Sequence, residues 1–420
     1  MRVVRHLTEF ASEHSSLLKR RALSKSMPQN RTVTLSDGKP AIRKRLRLFF
    51  LIRSLDIGGA ERQLTELVKR LDVTRLDVVV ATFYDGGALR AEIESLPGVR
   101  IISLRKSGRW DVIPFLARLA RVVREFRPEV LHGYMGISNE LCSLMARLFG
   151  GRAIWGVRMS DWDASCYDWL SGWATRSSAW FSPLADLIIV NSYAGKRAHL
   201  ARGYNPDRMV VIHNGIDTTR FRPDPPLGRK KRREWSISEQ DFLIGLIGRL
   251  DPQKDHLTFL RAAALTLRQR ANVRFVCVGD GHDEPYKKQV RTLASDLGLE
   301  DRLVWSPASN DVLAIYNAMD LVTLSSRNAE GFANVVGEAM SCAIPVVVTD
   351  VGDLALIVGE KDQVVPIQRP DLLAQAWCRV IDMTPEEHER LGSRERARIL
   401  EEFDVARLAE KTVAEIETII

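Results

Sequence analysis

From Leu46 onward the chain repeats one pattern twice, and that repetition leaves few folds open to it. "RLFFLIRSLDIGGAERQLTELVKRL" (47–71) reads as an apolar strand, a Gly-rich turn and a helix. Leu64, Leu67, Val68 and Leu71 fall at i, i+3, i+4 and i+7, one helical face. "DVVVATFY" (77–84), "RPEVLHGYM" (127–135), "AIWGVR" and "DLIIVNS" supply further strands, with the amphipathic helix "PFLARLARVVREF" (114–126) among them. A Gly-, Pro- and Asp-rich break, "IHNGIDTTRFRPDPPLG" (212–228), and the run "RKKRREW" then predict a linker near 215–235. The second series begins at "FLIGLIGRL" (242–250) and continues through "VRFVCVGDG" (273–281), "RLVWSP", "DLVTLSS" and "IPVVVTD" (344–350). Continuous apolar strands alternating with helices predict parallel sheets covered on both faces. The expected fold class is α/β, with two doubly wound halves. Ligands of such sheets bind at the carboxyl ends of the strands, so two facing halves make a cleft.

Length agrees, because single cores stop growing near about 250–300 residues and this chain has 420. The expected boundaries are a basic arm over 1–45, an N-terminal half over 46–220, a C-terminal half over 221–400, and a helix over 401–420 that crosses back. The formal net charge is +8, but residues 1–47 hold twelve Lys or Arg against three acids, a surplus of nine. The rest of the chain is therefore at −1, which argues against nucleic acid as a partner and makes the arm a candidate for anionic lipid. Cys142, Cys166, Cys277, Cys342 and Cys378 show no metal-ligand spacing and read as reduced thiols. No run approaches the eighteen apolar residues of a spanning helix. The expectation is a cytoplasmic protein, with peripheral contact at the inner face of the cytoplasmic membrane as a candidate.

Several residues carry chemistry. Gly58 and Gly59 stand where a strand hands over to a helix, and small residues there let backbone N–H groups approach an anion. An ordinary tight turn has the same look, and the pair is not a GxGxxG dinucleotide fingerprint. "GRLDPQKD" places Arg249 and Lys254 after a strand, a planar fork and a point charge suited to a pyrophosphate. In "EGFANVVGE", Glu330 and Glu338 are eight residues apart, about 12 Å along a single helix. That is too far for two acids sharing one glycosidic bond, about 5–9.5 Å. They read as anchors for opposite ends of a long ligand. His132, taken alone, reads as a core histidine.

"EGFANVVGEAM", "IGRLDPQKD", "VGDGH", "VVIHNGIDTTRF" and the Gly-Gly turn, in this order, resemble glycosyltransferase family four from about residue 46 to near 400. The resemblance implies the GT-B fold, with two facing Rossmann-like domains, and a retaining glycosyltransferase. Its donor would be a nucleotide-sugar, and its acceptor a glycan or lipid-linked molecule in polysaccharide, exopolysaccharide or lipopolysaccharide biosynthesis. Glu338 would hold the ribose hydroxyls and Glu330 the hydroxyls of the donated sugar. Arg249 and Lys254 would neutralise the leaving diphosphate, with Gly58 and Gly59 nearby. Gly331, Phe332, Asn334 and Val335 would complete the donor contacts. His132 would lie beside the donor sugar near the reacting carbon. No metal and no other cofactor is expected.

Three positions depart from the pattern: His213 where Pro is common, Pro307 where Gly is usual, and Ala343 before "IPVVV". Asp161-Trp162-Asp163 matches the acidic triplet of metal-dependent transferases, but three residues are a cheap match. Arg118, Arg121, Arg124 and Arg127 form a drifting stripe that reads as a solvated helix face before a lipid-headgroup patch. Two other functions stand as alternatives: a nucleotide-sugar epimerase of the same fold, and a non-catalytic glycan-binding scaffold.

Overall fold

Two parallel sheets carry the molecule in the computed structural model, which describes residues 45–108, 110–158, 178–309 and 311–420. The first 44 residues of the basic arm, Cys166 and the Asp161-Trp162-Asp163 triplet lie outside the described residues. The first sheet contains β1 (Leu46–Ile52), β2 (Leu76–Thr82), β3 (Val99–Ser103), β4 (Val130–Tyr134), β5 (Arg152–Val157), β6 (Leu187–Val190) and β7 (Met209–Val211). Its strand order is β3-β2-β1-β4-β5-β6-β7. The second contains β8 (Phe242–Ile247), β9 (Val273–Val278), β10 (Leu303–Ser306), β11 (Leu321–Leu324), β12 (Val346–Thr349) and β13 (Val364–Val365), ordered β10-β9-β8-β11-β12-β13. Every pairing is parallel.

Helices of the first half are α1 (Gly59–Lys69), α2 (Arg90–Glu94), α3 (Ile113–Phe126), α4 (Ile137–Phe149) and α5 (Tyr193–Ala201). The second half carries α6 (Pro225–Glu234), α7 (His256–Leu267), α8 (Glu284–Asp296), α9 (Val312–Ala318), α10 (Asn334–Ser341), α11 (Leu354–Val358), α12 (Pro370–Ile381) and α13 (Pro385–Glu402). The last helix, α14 (Val405–Glu417), follows. Each sheet is buried on both faces, which is why its strands are continuously apolar. In β1, Phe50 packs with α1 while its neighbour Phe49 packs with α3 and α4 on the opposite face. The stripe Leu64, Leu67, Val68 and Leu71 is buried, each side chain contributing roughly 1.5–3 kcal/mol.

The run expected as a linker is partly helical. Asp224 caps α6 by accepting from Leu227 N–H, and Arg232 is buried against the C-terminal half. Its guanidinium pairs with Asp320 and donates to the carbonyls of Ala318, Ser238 and Asp241. The chain thus leaves the first half over residues 212–224. It returns at Phe403, whose carbonyl accepts from Ile216 N–H at 2.8 Å, and Val405 N–H donates to Ile216 O at 3.0 Å. A Cβ on Gly215 would stand 2.6 Å from Val405 Cα, so only glycine lets the two crossings touch. Beyond them Val405, Leu408, Ala409 and Ile416 of α14 join the core of the N-terminal half. Among the described residues no helix is long and apolar enough to cross a membrane, and the four described cysteines are buried and free. Of the arginine stripe, Arg118 is tied to Asp111 and Leu104 O, while Arg121, Arg124 and Arg127 are exposed.

Candidate active site

In each sheet the strand order reverses at one place, between β1 and β4 in the first and between β8 and β11 in the second. Crevices at such reversals are where doubly wound sheets bind ligands. Most of the candidate residues come from the strands at these places or from the loops that leave them. Gly58 and Gly59 follow β1, His132 lies on β4, Arg249 and Lys254 follow β8, and Glu330 follows β11.

Lys254 and Glu330 meet directly: Nζ lies 2.6 Å from Oε1, with both side chains largely buried. Two loops are stitched together to make this contact. Ser325 Oγ donates to the carbonyls of Lys254 and Asp255, Arg327 N–H donates to Gln253 O, and Gln253 Nε2 donates to Ala329 O. Ala329 is held at φ 58°, a left-handed conformation costly for a residue with a Cβ, immediately before Glu330. Gly352 closes the other side: its φ is +65°, and a Cβ there would stand 1.9 Å from Glu330 O. Ser326 Oγ also donates to Glu330 Oε1, at 2.6 Å. Arg249 is placed differently. Its side chain is 72% exposed and pairs with Asp251 at 3.2 Å.

Glu338 lies half-buried on α10, which begins at Asn334 with no side-chain cap. Glu330 is therefore in a loop, and only Glu338 is helical. Tyr316 of α9, fully buried, donates its hydroxyl to Glu338 Oε2 at 2.6 Å. Burial pushes the Glu338 carboxyl above the usual range, against the pull of the Tyr316 bond and of Arg220 and Arg62. The two glutamates share an arrangement. Each has one oxygen engaged, and among the described residues no group bonds Glu330 Oε2 or Glu338 Oε1.

The N-terminal half reaches this site through α1 and the crossing segment. A Cβ on Gly59 would lie 3.8 Å from Asn334 Nδ2, an ordinary contact, while one on Gly58 would meet the Glu61 carboxylate at 2.2 Å, and neither glycine has a positive φ. Gln63 brackets Gly215, donating to its carbonyl and accepting from its N–H, both at 2.9 Å. Asn214 donates to Asn334 Oδ1 at 2.8 Å. Asp353 accepts from Tyr193 N–H at 2.6 Å and Ala194 N–H at 2.9 Å, at the start of α5, and from His213 Nε2 at 3.2 Å. Burial alone would push the Asp353 carboxyl up; these bonds hold it below the usual range. His213, the departure from Pro, thus joins the halves, and its ring packs against Phe332 and Phe403.

His132 is not on the wall of an open cleft. It has no exposed surface, its ring packs between Phe50 and Tyr134, and neither ring nitrogen has a partner. Burial drives its pKa down to about 3, so the imidazole is neutral. Lys254, Glu330, Asn334, Glu338 and Gly59 are brought together around the start of α10 and Phe332 is buried behind it, while the exposed Arg249 side chain meets Asp251 and none of these residues. Sequence reasoning missed Tyr316, Gln63, Asn214 and Asp353. Tyr and Asn inside apolar helices or turns carry no spacing signal, although Asp353 follows the Gly352 turn in "TDVGD".

Known proteins carry the same arrangement of halves. A family model described as Glycosyltransferase Family 4 matches residues 57–220, and one described as Glycosyl transferases group 1 matches residues 241–383. D-inositol 3-phosphate glycosyltransferase of Acidothermus cellulolyticus is 25% identical over 393 residues, covering 84% of this chain and 86% of that protein. Its namesake from Mycobacteroides abscessus is 32% identical over 202 residues, 46% of this chain and 43% of that one. Among solved structures, Anabaena HepE in complex with UDP and glucose superposes with a TM-score of 0.76 at 22% identity, covering 89% of this chain and 100% of that one. Sucrose-phosphate synthase from Thermosynechococcus elongatus gives 0.73 at 19%, covering 89% and 99%. The two family matches lie end to end on the two sheets whose facing loops build the site, and the chain belongs to glycosyltransferase family 4, as a glycosyltransferase of GT-B fold.

Proposed function

We propose that the enzyme moves a sugar from a nucleotide-sugar to a glycan or lipid-linked acceptor with retention of anomeric configuration and without a divalent metal. The observation that carries this reading is the pair of half-engaged glutamates on either side of the uncapped start of α10, with Lys254 held against the nearer one. A helix start favours a phosphate group through its N–H groups and dipole. Lys254 has three N–H donors and gives one to Glu330, which leaves two for the diphosphate that departs. Arg249, exposed, adds a second cation. Stabilising charge that develops on a leaving group is a large catalytic term when the donors are already in place. Glu330 Oε2 then accepts from a hydroxyl of the donated sugar, and Glu338 Oε1 from the ribose.

The relatives support particular choices of substrate. HepE was solved with UDP and glucose, so UDP-glucose is the first donor to test. The inositol phosphate transferases make a phosphorylated polyol the first acceptor class, ahead of lipid-linked and polysaccharide acceptors. The basic arm supports peripheral attachment at the inner face of the cytoplasmic membrane.

Incubation with a panel of labelled nucleotide-sugars and acceptors, with and without EDTA, tests the reading. Transfer that needs acceptor, survives EDTA and retains configuration by NMR is expected. Activity abolished by EDTA and restored by magnesium would sink the metal-free mechanism. Conversion of the donor to its epimer without acceptor would replace transfer by epimerisation.

A further inference from the structure

Buried polar atoms without partners gather at one place in the N-terminal half. His132 with both ring nitrogens, Arg158 Nε and Asn191 Oδ1 belong to three neighbouring strands, on β4 and just past the carboxyl ends of β5 and β6. Arg158 is 9% exposed. Its Nη1 donates to Asn214 Oδ1 at 2.9 Å, its Nη2 to Tyr134 Oη at 3.0 Å, and its guanidinium sits 5.0 Å over the Tyr134 ring. Among the described residues no carboxylate pairs with it. The contrast with Arg232, 7% exposed and paired with Asp320, is direct. A cation taken out of water without a counter-charge costs several kcal/mol, and an apolar residue of similar size would be more stable there. Asn191 adds position. Its Nδ2 donates to Arg158 O at 3.4 Å, while its free Oδ1 lies 2.9 Å from where a Cβ on Gly331 would stand, next to Glu330.

We propose that Arg158 and Asn191 form a subsite for an acceptor that carries an anionic group, phosphate or carboxylate, beside a hydroxyl. Arg158 Nε–H donates to the anion, and Asn191 Oδ1 accepts from the hydroxyl, which keeps the two ligand groups apart by charge. Gly331 of the C-terminal half packs on Asn191 and Ser192 of the N-terminal half, where an added Cβ would stand 2.9 Å and 3.2 Å from their side-chain oxygens, so a ligand enters the subsite only as this contact parts. The word acceptor rests on the transferase reading above; the anion does not.

The test uses the full chain and inorganic phosphate as probe, titrated by calorimetry into protein saturated first with UDP and then with UDP-glucose. Saturable phosphate binding in both cases is expected, weakened at least tenfold in Arg158→Gln, partly restored in Arg158→Lys, with UDP affinity unchanged within twofold. Arg158→Gln is expected to melt at or above the wild-type temperature, since it removes an unpaired buried charge. No phosphate binding to the UDP-saturated protein, equal binding by Arg158→Gln, or a large fall in its melting temperature would each overturn the subsite. Phosphate binding with UDP but not with UDP-glucose would overturn the assignment to the acceptor, giving the subsite to the donor. Failure of UDP to bind at all would count against the nucleotide-sugar reading and leave the phosphate comparison intact.

Discussion

Lys254 Nζ and Glu330 Oε1 lie 2.6 Å apart, although 76 positions separate them in the chain. Their contact couples the loop after β8 to the loop after β11, so the cation proposed to face the diphosphate and the carboxylate proposed to face the sugar hold each other in place. Removing one partner of a buried pair leaves the other uncompensated. Lys254→Met should therefore lose about 3–5 kcal/mol of stability, and Lys254→Met with Glu330→Gln should recover most of that loss. A double-mutant cycle by urea unfolding measures it, and additive losses would show that the pair is not coupled.

The two glutamates should fail differently. Glu338→Ala should weaken nucleoside diphosphate binding by roughly 1.5–3 kcal/mol, one to two decades in affinity, because the proposed arrangement makes its carboxyl the acceptor for the ribose. Glu330→Ala should leave that binding nearly intact while kcat collapses, as expected of a contact strongest in the transition state. Calorimetry and turnover read the two effects, and equal losses of diphosphate affinity would falsify the division of roles.

His132 should be dispensable for folding and not for turnover. It is neutral and enclosed, with both nitrogens unpartnered. His132→Leu should keep the wild-type melting temperature or raise it, while turnover falls about a hundredfold, the order of one lost polar contact in the transition state. Full activity in this variant would remove His132 from the residues that serve the reaction.

Glu395 carries a pH signature of its own. It is 2% exposed, and burial pushes its pKa up to about 8, with Gln363 and Val346 N–H pulling back. The folded protein binds this proton more tightly than the unfolded chain, whose glutamates titrate near about 4.3. Its contribution to stability is complete below that value and lost as pH rises through about 8. Glu395→Gln should match the wild type near pH ~4 and exceed it at pH ~9 by on the order of a few kcal/mol. Urea midpoints at the two values check the sign; an equal gap at both would rule out the titration of Glu395 as the cause.

What the sequence determined by itself was everything written in short-range period. Strands buried on both faces read as unbroken apolar runs, and the stripe Leu64, Leu67, Val68 and Leu71 read as one buried helix face, because both depend only on residues a few positions apart. The break near 215 and the order of the motifs marked the two halves and the family. Tertiary structure decided the rest, since strand order and register choose which distant residues meet and no local period encodes them. It folded the run expected as a linker into α6 by giving the buried Arg232 a partner in Asp320. It placed His132 opposite Phe50 across the β1–β4 pairing, inside the core. It paired Lys254 with Glu330 and Tyr316 with Glu338, and it left Arg158 buried with no carboxylate among the described residues. Whether a charge ends up exposed, paired or alone depends on what the far side of the fold brings to it.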